Sequence, residues 1–244
     1  MTDLSTPPSR HPRAVGGSAG TRHRSARVVH QLLRSSIKSG ILHHGESLSE
    51  ESLVEHLHTT RSSVRFALQL LADEGLVTRQ RRIGTVVDGK PIQIPMQDVV
   101  DESISGPLDY RMISDHTFPA HVLIRSRMPT DQEQVRMIEY VISSGNTAIG
   151  TLVAFQINPN VEMFEHKHKI DNIATTFETI YGRPFGRMET CIDAVNADDA
   201  TAALLGIEPG SQMLVRDQVL SDIDGAIHEF AYAHYRADMV SFRS

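Results

Sequence analysis

One stretch, residues 60–71, restricts the fold of this chain more than any other, because it repeats with the period of an α-helix. Its apolar residues recur at i, i+3, i+4 and i+7, which places them along one side of a helix that faces a core. Thr60 is suited to capping the helix N-terminus, and Gly75 is suited to ending the helix. The apolar positions are Val64, Ala67, Leu68 and Leu71.

The opposite side of this predicted helix carries hydrogen-bond donors. Arg61, Arg65 and Gln69 recur at i, i+4 and i+8, so the three long side chains share one face. Arginine and glutamine recognise guanine and adenine edges in the major groove, and short hydroxyls at a helix N-terminus suit phosphate contacts. The pattern predicts a DNA recognition helix. An ordinary surface helix with a solvated basic face is the alternative.

The flanking segments indicate a winged helix-turn-helix. A first helix is predicted over residues 25–39, and a second begins at the capping residue Ser49. The turn into the recognition helix is only a few residues long, as a helix-turn-helix requires. Behind that helix, residues 76–78 and 85–87 are predicted as two short strands. A basic tip joins them, as in a DNA-binding wing, although a solvated hairpin tip has the same composition.

Charge is divided unevenly along the 244 residues. Residues 1–90 carry 13 Lys and Arg against 8 Asp and Glu, whereas residues 91–244 carry 11 against 22. The chain is long enough for two domains, each with its own core. A net charge of +5 in the first part and −11 in the second indicates that only the N-terminal part meets a polyanion.

Composition excludes several classes of protein. Cys191 is the single cysteine, so we expect neither a disulfide framework nor a cysteine zinc site, and its apolar strand indicates a core position. The chain has no run of about 18 apolar residues and no apolar leader, so we expect a cytoplasmic protein without a membrane contact. Residues 1–22 lack periodicity and are predicted to be a disordered tail.

The N-terminal part resembles the DNA-binding domain of the GntR family of bacterial transcription regulators. The resemblance implies that Arg61 and Arg65 read the operator, and that Arg81 or Arg82 contacts DNA from the wing. The segments that carry it are residues 40–42, 45–53, 60–68, 74–77 and 84–85.

We assign residues 23–88 to this domain. Two positions depart from the family pattern: Glu51 stands where many members carry a DNA-contacting basic residue, and His58 stands where a small residue is usual. The predicted DNA-binding residues are Arg34, Ser49, Thr60, Arg61, Ser62, Ser63, Arg65, Gln69, Arg81, Arg82 and Gly84.

Beyond a predicted linker at residues 89–117, strand-like and helix-like patterns alternate. Within the linker, Ile92, Ile94 and Met96 alternate as they would in a strand. Helices are predicted over 173–181 and from Asn196 to Leu205. Strands are predicted over 122–124, 135–142, 149–157, 189–195, 213–220 and 226–234. Because neighbouring strands pair as hairpins, the fold class is α+β with a mainly antiparallel sheet.

Residues 118–244 resemble the effector-binding (UTRA) domain of the HutC branch of GntR regulators. The resemblance implies a chorismate-lyase-like fold, a homodimer built through this domain, and a small-molecule pocket beside the sheet. The residues that carry it are 181–182, 197–200, 204–206, 209–210 with 214, and 228–238 with 242.

The same resemblance implies where an effector binds. Glu229 and Tyr235 occupy positions where the family often contacts ligand. Many sugar-phosphate-responsive members have an Arg-x-Arg near residues 136–142, where this chain has Glu139-Tyr140-Val141. Other arginines can replace that pair. The predicted effector-binding residues are Arg125, Arg127, Arg187, Glu229 and Tyr235, with Arg183 as a further candidate.

Two further hypotheses concern metal binding and catalysis. Residues 165–168 hold a Glu and two His that can converge on a metal in an extended segment, but a polar loop has the same pattern, and no metal is expected. His228, Glu229 and His234 include acid–base groups, yet regular alternation places Glu229 on the other strand face unless the strand bulges. No phosphate loop, nucleophile elbow or zinc-hydrolase helix is present.

The expected function is that of a ligand-responsive transcription regulator without a cofactor, and not that of an enzyme. We expect a homodimer that places two recognition helices on an inverted-repeat operator in double-stranded DNA. We also expect a small-molecule effector to release this homodimer from the operator. Two alternatives stay open at this point. One is an enzyme with lyase-type chemistry and a DNA-binding head, and the other is a DNA-binding protein whose second domain only dimerises.

Overall fold

The computed structural model describes residues 18–80, 84–89, 92–96, 108–160 and 172–243. The chain divides into two compact units, Met1–Lys90 and Pro91–Ser244. Each unit has its own hydrophobic core.

The first unit contains three helices and a three-stranded antiparallel sheet in the order β1-β3-β2. Its elements are α1 (Ser18–Lys38), β1 (Ser47–Leu48), α2 (Glu50–His56), α3 (Arg61–Asp73), β2 (Val77–Gln80) and β3 (Gly84–Val87). The predicted order of three helices followed by a hairpin is confirmed. Because α1 begins at Ser18, it includes the last residues of the predicted tail, and the rest of that tail lies outside the described residues.

Local hydrogen bonds explain where α2 and α3 begin. The Ser49 side chain accepts a hydrogen bond from the backbone N–H of Ser52, and the Thr60 side chain accepts one from Ser63. Both residues have extended backbone angles, as N-cap residues do. Both caps were predicted from the sequence, and the structure confirms them.

The first core is built on the apolar side of α3. All four predicted positions, Val64, Ala67, Leu68 and Leu71, are 0% exposed. They pack against Val29, Leu33 and Ile37 of α1 and against strand residues of the small sheet. Burial of one side of α3 leaves its other side in solvent, which is the geometry that the helical period predicted.

The second unit is a six-stranded antiparallel sheet in the order β5-β6-β7-β10-β9-β8, with a separate parallel pair, β4 and β11. The predicted α+β class with a mainly antiparallel sheet is confirmed. Its strands are β4 (Ile92–Pro95), β5 (Leu108–Pro119), β6 (Gln134–Ser144), β7 (Thr147–Gln156), β8 (Phe185–Asn196), β9 (Gln212–Asp222), β10 (Ile227–Arg236) and β11 (Val240–Arg243). Its helices are α4 (Val122–Arg127), α5 (Ile173–Tyr181) and α6 (Asp199–Leu205).

Different elements cover the two faces of this sheet. On one face, α4 packs on Phe155 and Phe230, while α6 packs near Met213. On the opposite face, α5 packs on Leu220 and the β4–β11 pair packs on Tyr235. We call this second face the α5 face.

Three expectations about the second unit were wrong. Residues 122–124 form the start of α4 and not a strand. His121 caps this helix, and Ile124 is its buried residue. The predicted linker at 89–117 contains β4, which the alternation of Ile92 and Ile94 had indicated, and also most of β5, which was not predicted. Cys191 is exposed on β8, a strand at the end of the sheet order, and does not fill the core.

A smaller correction concerns α6. Its N-cap is Asp198, whose side chain accepts hydrogen bonds from Thr201, and not Asn196. Among the helices in the described part of the chain, none is long and apolar enough to cross a membrane.

Candidate DNA-binding and effector-binding sites

The outer face of α3 presents the predicted base-reading side chains to solvent. Arg61, Arg65 and Gln69 are all exposed. The Arg65 Nε donates to Glu50 Oε2 over 2.8 Å, and the Gln69 Nε2 donates to Asp73 Oδ1 over 2.8 Å. These acceptors are themselves on the surface, so both donors can exchange them for base edges at small cost.

The N-terminus of α3 carries three of the predicted hydroxyl groups. The Thr60 Oγ1 lies 3.0 Å from Ser62 Oγ and 2.9 Å from Ser63 Oγ. Thr60 and Ser62 are exposed, which leaves them accessible to a phosphate. Ser63 is 3% exposed, because its side chain turns back to the cap, so its hydroxyl is not presented to DNA.

Arg34 lies on α1 and contacts the C-terminal end of α3. Its Nε donates to Glu74 Oε2 over 2.7 Å, and His30 Nε2 lies 2.6 Å from Glu74 Oε1. Burial raises the pKa of Glu74, but the hydrogen bonds from Arg34 and His30 outweigh burial and hold that pKa below its ordinary value. Glu74 is the C-cap of α3, so this cluster ties α1 to the end of the recognition helix.

Two further predicted DNA-binding residues, Ser49 and Gly84, lie at the starts of α2 and β3. Ser49 is the exposed N-cap of α2. Gly84 opens β3 with a φ of 103°, a backbone angle that favours glycine. Arg81 and Arg82 lie outside the described residues.

The two positions that depart from the family pattern are also defined. Glu51 is exposed in the first turn of α2, where its charge suits the helix dipole. His58 has a φ of 47° in the turn between α2 and α3. His58 therefore adopts a left-handed backbone conformation that glycine tolerates best.

Two of the predicted effector-binding arginines serve other partners. The Arg125 guanidinium donates to the backbone carbonyls of Ala120 and Gln132 over 2.6 and 2.8 Å, and also to that of Thr130. Arg127 pairs with Asp217 at 3.5 Å, and its guanidinium carbon lies 4.8 Å from the Phe230 ring centroid.

Arg183 and Arg187 lie near the β9–β10 hairpin. Arg183 pairs with Asp222 at 3.3 Å and with Asp224 at 2.6 Å. Arg187 pairs with Glu189 on the surface. Arg187 lies beside an open cleft of about 430 Å³, which is lined by Gly186, Arg187, Glu189, Val219, Ser221, Asp222, Ile223, Gly225 and Ile227.

Tyr235 is a core residue in this structure. It is 1% exposed, and its ring meets that of Phe242 edge-on at 5.5 Å beneath the β4–β11 pair. Arg216, also 1% exposed, places its guanidinium carbon 5.8 Å from the Tyr235 ring centroid. Of the predicted effector-binding residues, Tyr235 and Glu229 share the α5 face, and the structure does not bring the five together.

Glu229 is the centre of a buried polar cluster on the α5 face. The Tyr181 Oη donates to Glu229 Oε2 over 2.7 Å, and the Gln156 Nε2 donates to the same oxygen over 2.8 Å. Burial raises the pKa of Glu229 above its ordinary value, and the two hydrogen bonds offset only part of that rise. Burial, followed by the nearby Glu229 charge, also raises the pKa of Tyr181.

Gln156 leaves one atom of this cluster unsatisfied. Its side chain is 3% exposed, and its Oε1 meets no hydrogen-bond donor within the described segments. A buried carbonyl oxygen without a donor is unfavourable and usually marks a place that water or a ligand fills.

Arg136 lies directly across the strand pair from Gln156. Its Nε and Nη2 donate to the two carboxylate oxygens of Asp115 over 2.9 and 2.6 Å, while its side chain is 10% exposed. The hydrogen bonding between these two side chains lowers the pKa of Asp115 and raises that of Arg136. Burial raises the pKa of Tyr140, on the same strand, to about 12.

A bulge in β10 determines which side chains reach α5. The pairing register with β9 shifts between Ile227 and Glu229. As a result the His228 ring lies 5.1 Å from that of Tyr181, the same residue that donates to Glu229. Regular alternation would have separated His228 from Glu229, and the bulge brings both to α5.

His228 is held by the hairpin and not by the Glu229 cluster. Its Nε2 lies 3.0 Å from Asp222 Oδ2, and Asp222 Oδ1 also accepts from the backbone N–H groups of Asp224 and Ala226. The hydrogen bond from His228 is the main cause that lowers the pKa of Asp222 to about 2. These contacts fix the β9–β10 turn.

Arg136, Gln156 and Tyr181 were missed by the sequence reasoning. Strand pairing places Gln156 beside Glu229 and Arg136 beside Gln156, while helix α5 brings Tyr181 to Glu229. The segment 165–168, considered for metal binding, lies outside the described residues. No cluster of three or more His, Cys, Asp or Glu suited to a metal occurs in the described ranges.

Comparison with known proteins finds a separate domain match for each of the two units. The sequence model described as "Bacterial regulatory proteins, gntR family" matches residues 25–87, and that of the "UTRA domain" matches residues 161–241. Together the two matches cover more than half of the chain.

Similar proteins match either one part or most of this chain. The transcriptional regulator GgaR of Escherichia coli K12 is 37% identical over 59 residues, which is 24% of this chain and 24% of GgaR. The transcriptional repressor NagR of Bacillus subtilis is 23% identical over 225 residues, 88% of this chain and 91% of NagR. PhnF from Mycobacterium smegmatis has the same fold, with a TM-score of 0.59, 21% identity and coverage of 88% and 97%.

A winged-helix unit followed by an effector-binding unit defines a class of DNA-binding transcription regulators. This chain combines a DNA-binding domain of the GntR family with a UTRA domain. These two domains indicate a transcription regulator.

Proposed function

We propose that this chain is a repressor that binds an inverted-repeat operator as a homodimer and leaves it when a small molecule binds the second unit. The observation that carries the DNA-binding half is the outer face of α3. Arg61, Arg65 and Gln69 stand exposed on a 13-residue helix whose other side is fully buried. A helix anchored in this way can enter a major groove without losing its packing. Two-fold pairing of chains then accounts for an inverted repeat.

The DNA-binding half is tested with the Arg61→Ala variant. Operator duplexes are first selected from a random pool by the full chain, and affinities are then measured by fluorescence anisotropy at one salt concentration. If Arg61 reads a base, its loss weakens binding by about 1–3 kcal/mol and relaxes selectivity at one position. Arg27→Ala, which removes an exposed cation from α1, is the matched control. Equal affinities for the two variants contradict the proposal.

We place the effector on the α5 face, against Glu229, Gln156, Tyr181 and Arg136. These residues combine burial, shifted pKa values and the unsatisfied Gln156 Oε1, which are features of binding sites. They replace Arg125, Arg127 and Tyr235 of the sequence-based set, whose side chains are committed to carbonyls, to Asp217 and to the core.

The chemistry of this cluster favours an effector that donates hydrogen bonds. Gln156 Oε1 and the Glu229 carboxyl are acceptors, so hydroxyl or amino groups complement them. Arg136 is already compensated by the Asp115 carboxylate, so the cluster has no surplus positive charge for a phosphate. We therefore propose a polyhydroxylated or amino-bearing metabolite, without a required phosphate group.

A thermal-shift screen tests the effector half. Amino sugars, polyols and amino-acid derivatives are compared with their phosphorylated counterparts, and a ligand at 100 times its Kd stabilises its unit by about 2.7 kcal/mol. The variant Glu229→Gln should lose that shift while it still binds DNA. Glu178→Gln, which alters an exposed carboxyl on α5, should respond as the parent does. An unchanged shift in Glu229→Gln refutes the site.

A further inference from the structure

One hydrogen bond of the first unit links the two helices of the helix-turn-helix through their charged surface. Glu50 is the first residue of α2, and Arg65 lies in the second turn of α3. The Arg65 Nε and Glu50 Oε2 are 2.8 Å apart. The Arg65 side chain is 62% exposed and that of Glu50 is 30% exposed.

The bond engages only one edge of the guanidinium. Arg65 Nε is occupied, whereas neither of its Nη groups has a hydrogen-bond partner within the described part of the chain. Guanine is recognised when two donors of one arginine reach O6 and N7 together. The two Nη groups form such a pair at the outer end of the side chain.

An exposed ion pair of this kind contributes little to folding stability, since solvent screens it. Its larger effect is on conformational freedom, because a long arginine side chain has many rotamers and the bond selects a few of them. Ordering the side chain before DNA binding reduces the entropy that is lost when the base contact forms.

We infer that Glu50 is a positioning residue for DNA recognition, which holds Arg65 so that its two Nη groups face a guanine edge. This inference rests on the proposed base-reading role of Arg65. The opposing effect is electrostatic, because a carboxylate near DNA repels phosphates and lowers affinity for every sequence. Positioning and repulsion therefore predict opposite changes when Glu50 is removed.

Glu51 provides the matched control. It is the next residue of α2, it is exposed, and within the described residues its side chain has no hydrogen bond or ion pair. Removal of Glu51 takes away one negative charge next to the same surface without altering Arg65.

The experiment uses the full chain, an operator duplex selected by it, and duplexes in which one G·C pair of each half-site is replaced. The ratio of the two affinities is measured by anisotropy for the parent, Glu50→Ala, Glu51→Ala, Glu50→Gln and Arg65→Ala. Arg65→Ala identifies the replaced pair at which selectivity depends on Arg65. At that pair Glu50→Ala should lower the ratio by about threefold to tenfold, a fraction of what a good bidentate contact supplies. Glu51→Ala should leave the ratio unchanged and tighten binding to both duplexes.

The conservative variant separates positioning from a loss of folding. In Glu50→Gln the side-chain amide keeps an oxygen acceptor for Arg65 Nε, so this variant should retain most of the parent's ratio. If Glu50→Ala and Glu51→Ala change the ratio equally, the inference is overturned while the role of Arg65 stands. If Arg65→Ala alters selectivity at no position, the base-reading role in the proposed function fails as well.

Discussion

Removal of the Tyr181 hydroxyl tests the buried cluster on the α5 face more sharply than any other single change. Tyr181→Phe deletes the donor at 2.7 Å from Glu229 Oε2 and leaves the ring in place against Phe177. A hydrogen bond to a charged partner is worth about 1.5–3 kcal/mol, and one between neutral groups about 0.5–1.5 kcal/mol. The cost of the variant should therefore depend on whether Glu229 is ionised.

The sign of that dependence follows from the pKa of Glu229. Burial raises this pKa in the folded chain, so the associated stability is fully present below the ordinary pKa of 4.5 and is lost as the pH rises through the raised value. The Tyr181 hydrogen bond lowers the pKa of Glu229 and thus limits the loss. Without it, the free energy of unfolding should fall more steeply with rising pH.

The assay is urea unfolding of the full chain, followed by circular dichroism from pH 4 to pH 8. Tyr181→Phe should lower the unfolding free energy of the second unit by about 2 kcal/mol at pH 8 and by about half as much at pH 4. Tyr232→Phe is the control, because Tyr232 lies on the opposite face of the sheet and packs its ring against Phe155 and Phe230. A deficit in Tyr181→Phe that is the same at both pH values refutes the coupling to Glu229.

Three further predictions concern other parts of the chain. Leu68→Ala empties a fully buried position of the first core and should cost about 2–5 kcal/mol in urea unfolding of that unit, and a smaller cost than about 1 kcal/mol contradicts the packing described. His58→Gly should leave DNA affinity unchanged and raise the unfolding midpoint slightly, because glycine tolerates the φ of 47°; a lower midpoint contradicts this. The pKa of Asp222 is lowered from 3.8 to about 2, so its stabilising effect is present above pH 3.8 and is lost as the pH falls towards 2. Asp222→Asn should flatten that part of the acid-unfolding profile, and an unaltered profile argues against the role of Asp222.

The elements that could be predicted from the sequence are those fixed by local contacts. The N-caps Ser49 and Thr60 each bond a backbone N–H three residues ahead, so the signal lies within one turn. The apolar stripe of α3 is equally local, because helical spacing alone places its members together. These features were sufficient to place the exposed face of α3, on which the proposed DNA contacts lie.

The contacts that escaped prediction join residues far apart in the chain. Gln156 and Glu229 are separated by 73 positions, and their meeting depends on the register of β7 and β10 and on the bulge beside His228. The alternation of Ile92 and Ile94 indicated β4, but its pairing with β11 joins segments almost 150 positions apart and could not be predicted. A shift in register by one residue reverses the face to which every side chain points, so composition cannot supply this information.

Arg34 illustrates a different limit. Its charge suited a DNA contact, but the structure places it against Glu74 at the C-terminal end of α3, 40 positions further along the chain. A basic residue can serve phosphate or carboxylate equally well, and only the fold determines which of the two it meets.

The central proposal is that effector binding on the α5 face lowers the affinity of the chain for its operator DNA. The most direct measurement is the affinity of the full chain for its selected inverted-repeat duplex, with and without a saturating concentration of the compound found by thermal shift. The proposal predicts at least a tenfold loss of affinity, which corresponds to a coupling free energy of about 1.4 kcal/mol, and no such loss for Glu229→Gln. An affinity that the compound leaves unchanged in the parent chain contradicts it.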